Sequence, residues 1–575
     1  MSAGFLHSRY QPWHASHGAD PACDAVLVKA MNNVKRLLLS GWFAAALLVA
    51  ACGGGGGGGG GGFAFLPVAS TPESPAAPPA PAPVTAAVLV NGLVTFDSVP
   101  NTAGSLAYAA TIQKPVRGAT VQLVSTTQAV LATTTTDASG NYAASVPQGS
   151  TFFVRVRAAL LNTGASSWDV TVRDNTQGEG VYALESGLVV AAGAAMQKDV
   201  NAPSGWSGTS YGTLRAAAPF AILDTIYMTQ QKVLSVAPST AFPPLKVLWS
   251  VNNLPASGNP ALGQIGTTFF TASTTGAAIY VLGKADVDTD EYDASVIAHE
   301  WGHYYQSVFS RDDSPGGEHG SNDLLDRRVA FSEGWGNAWS GIALNRANYT
   351  DSAGPAQSIG LNANLAVGAV VAKGWFNEDS IQYVLWTLNQ VAGFKPIHAA
   401  MTGPLKASAA LTSIHSFNAA LKTVSNSAST SLAPLLTSES IDSNSDAWGS
   451  TESNRGGSAV ALPMYRTLTA GAALPNVCVS NALGSAVGDN KLGNYAYVRL
   501  SVLVAKAYQI SVTGGGPATD PDFRVYNASG VVAKAEAVAP GSESASVALT
   551  PGEYVLAVTD YQNKASSTCF TVSAN

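Results

Sequence analysis

The sequence predicts a multidomain chain in which an α+β core lies between two β-sandwiches. Three observations predict it. At 575 residues, the chain has room for several domains of roughly 100–200 residues each. Short alternating runs bounded by turn residues fill both ends, the period of half-buried strands. Between them, apolar residues recur at helical spacing. Hydrophobic residues make up 46% and charged residues 12%, which excludes a disordered chain or a coiled coil. With 30 Lys+Arg against 37 Asp+Glu, no basic stripe can track phosphates, so nucleic acid is excluded as a partner.

The first 84 residues are read apart from the fold. Leu37 to Ala51 is an apolar stretch, shorter than the roughly 20 residues that span a bilayer. Lys35 and Arg36 precede it, and Met31 stands just before them. A positive start, a short apolar run and small residues at its end make a secretory signal over 31–51. Residues 1–30 then lie upstream of the real start. Val49-Ala50-Ala51-Cys52 resembles the lipobox of bacterial lipoproteins. The resemblance implies that Cys52 is lipidated and becomes the mature N-terminus; cleavage near Ala51 without a lipid is the alternative.

Residues 52–84 make a tether. Gly53 to Gly62 is unbroken glycine, and Pro67 to Pro83 is rich in Pro and Ala. Glycine loses too much entropy to build a core, and proline favours extended chain. The glycine run alone spans about 15–20 Å as a flexible coil. Gly53, not an aspartate, follows the cysteine, so nothing resembles the inner-membrane retention signal of lipoproteins. The expected location is exported, at the outer membrane or cell surface, with membrane contact through the lipid anchor only.

Residues 85–202 read as a β-sandwich. Ala119 to Leu123, Tyr142 to Val146 and Phe153 to Arg157 alternate apolar and polar, with turn chemistry at Asp137-Ala138-Ser139-Gly140-Asn141. The wording from Pro115 to Val121 and from Thr136 to Tyr142 resembles carboxypeptidase-regulatory-like domains, which implies a non-catalytic accessory module.

Residues 203–475 carry the chemistry. Leu214 to Val236, Ser380 to Val391 and Leu411 to Val424 have helical spacing, and Leu245 to Trp249 and Ala278 to Leu282 read as strands. Within this core stands His299-Glu300-Trp301-Gly302-His303. On a helix the two imidazoles share one face, one turn apart, and reach one ion. Glu300 between them is turned away by about 100° and addresses a water instead. A catalytic zinc site needs a third protein ligand and an open position. The best candidate is Glu333, in Ser332-Glu333-Gly334-Trp335-Gly336-Asn337. Its two glycines cost a helix about 1 kcal/mol each relative to alanine, which suits a place where a second helix packs closely on the first.

Together these residues resemble the gluzincin zinc metallopeptidases, and the Ser-Glu-Gly-Trp wording is most similar to fungalysin-type members. The metzincin pattern is excluded, because Gln306 and Phe309 stand where it needs glycine and histidine. The resemblance implies a zincin-like core in which Zn2+ is held by His299, His303 and Glu333, with Glu300 as general base. It also implies a peptide or protein substrate aligned by the strand around Ile279 to Leu282. Many gluzincins carry an aspartate behind a histidine ligand where this chain has Asn337; an amide orients the ring without adding charge. The family also implies an oxyanion-stabilising group. Tyr383, His398 and His415 are available, and Tyr383 is taken as the candidate.

Rival roles surround the motif. His319, flanked by glycines, is an alternative ligand, and Asp326 reads as a helix cap beside Arg327 and Arg328. Asp286, Asp288, Asp290, Glu291 and Asp293 form an acidic cluster suited to Ca2+, or to the N-terminal dipole of the following helix. Trp335 and Trp339 are expected in the core.

Residues 476–575 read as the second sandwich, with strands at Tyr508 to Val512, Phe523 to Tyr526 and Tyr554 to Val558. This part resembles the pre-peptidase C-terminal β-sandwich of secreted bacterial peptidases. Cys23 falls in the leader and Cys52 takes the lipid, which leaves Cys478 and Cys569 to form a disulfide in an exported protein. Closing a loop of about 90 residues stabilises by roughly 4 kcal/mol in the chain-entropy account. The expected function is a cell-surface zinc metallopeptidase. The alternative is a non-catalytic surface-anchored binding lipoprotein with a degenerate metalloprotease core.

Overall fold

A computed structural model describes residues 86–575 apart from 321, 485–488 and 563–566. The expected leader, Cys52 and the tether lie outside the described residues. The strand Ala87–Ser98 alternates buried and exposed along most of its length. It pairs with Asn141–Pro147 and Ile112–Pro115 on its antiparallel sides and with Ala195–Gln197 and Val200–Ala202 in parallel. Asp137 shapes the turn before Asn141 by accepting the N–H groups of Ser139 and Asn141 at 2.8 Å.

A second, larger sheet crosses the expected boundary at residue 202. Its order runs Val130–Thr135, Ala119–Ser125, Thr151–Asn162, Trp168–Asp174, Leu245–Trp249, Gly276–Val281, Phe269–Ser273. Trp168–Asp174 pairs in parallel with Leu245–Trp249, so the first β module and the core share one sheet. One buried cluster accordingly extends from Val88 to Leu492. Gly276–Val281, expected to align substrate, has a partner on each side and no free edge. The edge strand is Phe269–Ser273, antiparallel to it.

Three helices wall the site, α2 (Ala294–Phe309), α3 (Arg327–Leu344) and α4 (Glu378–Ala392), and α1 (Ala218–Leu234) packs against α2 and α3. Helix α3 starts at Asp326, whose side chain accepts the N–H of Arg328 at 3.0 Å, and ends on Asn345 in the left-handed region at φ 54°. Helices α2 and α3 approach within backbone contact. A Cβ on Gly302 would lie 3.2 Å from the Gly336 Cα, and the Trp335 indole donates to the Gly302 carbonyl at 2.9 Å. Trp301, Trp335 and Trp339 are fully buried around this crossing, each covering about 150–250 Å².

From Arg466 onward the chain forms two facing sheets of five and four strands over their own core, Leu468 to Ala574. Cys478 sits opposite Cys569 in paired strands, and a disulfide joins them. This module reaches back to the N-terminus of α3. Tyr497 donates to Asp326, and Arg328 lies over the Tyr495 ring, 4.5 Å from its centroid. Burial pushes the Asp326 carboxyl up, but Arg328, the hydrogen bonds and Arg327 together outweigh it and hold it below its ordinary value. No helix among the described residues is long and apolar enough to cross a membrane.

Candidate metal centre

Helix α2 presents His299 and His303 one turn apart, and α3 brings Glu333 to meet them. Their ligand atoms all lie within 4.8 Å of one another. The Glu333 Oε2 is 3.3 Å from Nε2 of His299 and 3.4 Å from Nε2 of His303, and the two Nε2 atoms are 2.9 Å apart. Ligand bonds of about 2.0–2.2 Å at tetrahedral angles put donor atoms about 3.3 Å apart, so the set fits one zinc-sized ion.

Each imidazole is oriented through its other nitrogen. Nδ1 of His299 lies 2.9 Å from Asn337 Oδ1, an acceptor only, so this nitrogen carries the proton and Nε2 keeps its lone pair. Nδ1 of His303 lies 3.1 Å from Ser332 Oγ. Both orienting groups are neutral. The glycines beside Glu333 have separate tasks. A Cβ at Gly336 would fall 2.7 Å from the His299 ring, and one at Gly334 would fall 2.5 Å from Ile381 of α4. One lets the ligand ring lie flat on α3; the other lets α4 close against it.

Electrostatics follow from burial and proximity. Burial alone would raise Glu333, but the charge of His303 and contacts from three imidazoles outweigh it and hold the carboxyl well below its ordinary value. Burial pulls His303 down, and Glu333 reverses this to lift it to about 9. Glu300 is raised, chiefly by burial, with Glu333 adding to it and both histidines opposing. Its Oε2 accepts the Phe270 N–H at 2.7 Å, which ties it to the edge strand.

A cleft of about 1340 Å³ opens over these residues, lined by Thr267 to Ala272 on one side and by the loop Ser314 to Gly320 on another. Its carboxylates include Asp288, Asp290, Asp312, Asp351, Glu378 and Asp379, and among the described residues no Lys or Arg lines it. The acidic run before α2 is divided among several partners. Asp288 and Asp290 converge with Asp351, from the strand Asn348–Ala353, as a second group whose oxygens lie within 4.8 Å of one another. Burial, with repulsion from Asp351 next, lifts Asp288 to about 7, and burial lifts Asp351 to about 6. Glu291 instead pairs with Arg215 at 2.6 Å, Asp293 accepts from Ser352, and Asp286 accepts the Ala356 N–H at 2.9 Å. Of the five acids expected to favour calcium, only two stay together.

The oxyanion candidate Tyr383 does not line the cleft. It packs, half-buried, against the core, while its neighbour Gln382 faces the cleft. His398 contacts the Tyr305 hydroxyl at 2.8 Å and His415 contacts Glu452 at 2.8 Å; neither lines the cleft. The tyrosine that does is Tyr349, its ring centroid 6.0 Å from that of His299 and edge-on to it. Its signal was the alternation Tyr349, Asp351 along one strand face. His319 also enters the cleft, with Nε2 3.2 Å from Glu333 Oε2 and Nδ1 3.0 Å from Glu378 Oε2. It is outside the three-residue ligand group.

No protein family matches this chain, and no curated protein does. Among solved structures, the pre-peptidase C-terminal domain of a Bacillus anthracis collagenase is 17% identical over 19% of this chain and 94% of its own, with a TM-score of 0.15. Aeromonas hydrophila PliG, a periplasmic inhibitor of g-type lysozyme, is 13% identical over 19% and 99%, with a TM-score of 0.13. A cycloisomaltooligosaccharide glucanotransferase from Paenibacillus sp. is 8% identical over 83% and 72%, with a TM-score of 0.12. Likeness this slight bears on neither the fold nor the chemistry.

Proposed function

We propose that this protein is a cell-surface, lipid-anchored zinc metallopeptidase. The observation that carries the reading is the convergence of His299, His303 and Glu333 beside Glu300 in an open cleft. Two nitrogens and one carboxylate oxygen, with a side left to the cleft, are the donor set of a hydrolytic zinc site. Bound by these three residues, zinc supplies Lewis acidity to a water and to a substrate carbonyl.

The chain's own groups do the rest. Glu300 takes a proton from the attacking water at a carboxylate oxygen and returns it to the leaving amine. Its raised pKa suits a group that must both accept and release that proton. Phe269–Ser273 is the edge strand along the cleft; Glu300 holds its Phe270 N–H, and an extended peptide can add to the backbone groups beyond it. Asn337 and Ser332 keep both imidazoles turned with Nε2 toward the ion.

A second reading has one observation in its favour. The His299 ring is oriented by the neutral Asn337 rather than by a carboxylate, which weakens ligand basicity and suits a non-catalytic binding lipoprotein with a structural metal. One comparison separates them. Zinc-loaded wild type is expected to cleave a mixture of unfolded proteins, and Glu300→Ala to keep its zinc while losing about 10²–10⁴-fold in rate. A fully zinc-loaded wild type that cleaves none of them would overturn the peptidase.

A further inference from the structure

The first turn of α4 faces the cleft with polar groups that nothing in the fold uses. Glu378, Asp379 and Gln382 all line it, because residues three and four apart share one face of a helix. The residues between them turn inward: Ser380 donates to Glu439 at 2.7 Å, and Ile381 packs against Gly334. A Cβ on Gly334 would also lie 2.9 Å from the Glu378 carbonyl, so the start of α4 is pressed against α3 one residue from Glu333. The ring of His319 lies between the two carboxylates, 3.2 Å from Oε2 of Glu333 and 3.0 Å from Oε2 of Glu378. The polar turn therefore borders the metal centre at the distance of one imidazole.

These groups are buried without partners. Glu378 and Gln382 are each 5% exposed, yet among the described residues neither side chain makes a hydrogen bond, and the Asp379 carboxylate makes none. His319 approaches Glu378 Oε2 without hydrogen-bond alignment, and one imidazole could offset at most one of the two carboxylates. Among the described residues no cation faces Asp379: burial, then Glu378 and Glu439, push its carboxyl up to about 7. The backbone does not need these acids, since the Asn377 side chain accepts the N–H groups of Asp379 and Ser380 at 2.8 and 3.3 Å. A carboxylate in the first turn also gains from the helix dipole. That gain is available at the surface, however, and is smaller than the cost of burying a charge unpaired. Gln382, uncharged and a turn further in, gains nothing from it.

We propose that Glu378, Asp379 and Gln382 form a subsite for a basic side chain of the substrate, arginine above all, a proposal that rests on the reading of the cleft as a peptidase's. A guanidinium carries five N–H donors in a planar fork, enough for two carboxylates and the amide oxygen. Its fixed charge supplies a cation to a wall that has no Lys or Arg among its described residues. Lysine, a single ammonium at the end of its stem, engages fewer of the three groups. An acidic side chain at the same place meets two carboxylates in a poorly solvated wall and is repelled.

Peptide binding by the zinc-loaded full chain carrying Glu300→Ala tests the subsite without turnover. The probes are fluorescent peptides in which one arginine is moved stepwise along a neutral sequence, each paired with a copy holding citrulline, its uncharged isostere. At one position arginine should bind about 10- to 100-fold more tightly than citrulline by fluorescence anisotropy, the range for hydrogen bonds to charged groups. Glu378→Gln and Asp379→Asn, each added to Glu300→Ala, should each cut that ratio by about 10-fold. Asp379 is the less buried of the two, so its variant decides the matter if thermal melts show that Glu378→Gln disturbs the fold. Equal binding of arginine and citrulline at every position would overturn the subsite alone. So would a preference that survives both variants, which would move recognition to Asp288, Asp290 and Asp351. No binding of any peptide would overturn the subsite and the peptidase together. An arginine preference in a protein that cleaves nothing with Glu300 restored would keep the subsite and sink the peptidase.

Discussion

Gly336→Ala should cost the protein its metal site and little of its fold. A Cβ at this position would lie 2.7, 2.8 and 2.9 Å from Cε1, Nδ1 and Nε2 of His299. Ordinary carbon contact begins near 3.5 Å, so the ring must retreat by about 0.8 Å. Metal–ligand bonds tolerate about 0.2 Å. The ring cannot keep its place by turning either, because Asn337 holds its Nδ1. Displacing one of three ligands should weaken zinc by at least about 100-fold, beyond the 10- to 100-fold cost of losing an orienting partner.

Stability moves less and in two directions. Alanine gains about 1 kcal/mol over glycine in a helix, and overpacking costs about 1–3 kcal/mol, so the metal-free fold should lose at most about 2 kcal/mol. Gly302→Ala is the control on the same helix crossing. Its Cβ would meet Trp339 and the Gly336 backbone at 3.1–3.3 Å, a contact that yields by tenths of an ångström and touches no ligand. Chelator competition and thermal melts in excess chelator give both numbers. Wild-type zinc affinity in a folded Gly336→Ala protein would refute the reasoning.

Three further outcomes follow from the same geometry. Asn337→Asp places a negative charge behind His299 and should tighten zinc by about 10-fold, measured by the same competition; unchanged or weaker binding would mean the neutral amide is not what limits the site. Asp288 and Asp351 hold their protons more tightly folded than unfolded, so their contribution to stability is present below about pH 4 and lost as pH rises through about 6 to 7. Asp351→Asn should therefore stabilise the protein at pH 8 in chelator, by no more than about 3 kcal/mol, and leave its stability unchanged at pH 3; an equal gain at both pH values would refute this. Cys52→Ser should move the protein from the membrane fraction to the soluble one, and its retention on membranes would remove the lipid anchor.

Local patterns carried much of the architecture. The strand-like runs lie inside Ala119–Ser125, Asn141–Pro147, Lys506–Thr513, Pro521–Asn527 and Gly552–Asp560. In Asn141–Pro147 and Lys506–Thr513 a half-buried strand stamps its period on every second residue, while the other three are buried on both faces and show instead as short apolar runs between turns. The four-residue spacing from His299 to His303 and the glycines around Glu333 were legible for the same reason: each reports a constraint within one or two helical turns. What stayed hidden depends on partners far along the chain. The parallel pairing of Trp168–Asp174 with Leu245–Trp249 leaves no mark on either strand that names the other. Phe269–Ser273 is five residues long with no alternating burial, so nothing local identifies it as the edge strand. Tyr383 has the right residue type on a helix whose rotation turns Gln382, and not Tyr383, to the cleft.

The least legible part of the site is what determines its charge. From the sequence, Asn337 looks like a lost carboxylate and a weakened metal centre. In the fold, further carboxylates share the cleft with the ligands, Asp312 and Glu378 among them, neither within ten residues of Glu333 in the chain. Carboxylates lining the cleft act on a cation bound there at short range, whether or not one of them stands behind a histidine. Asn337 then orients without tuning, and its neutrality is a poor guide to whether the centre hydrolyses. That is why the Glu300→Ala comparison, and not the identity of residue 337, decides between peptidase and binding protein.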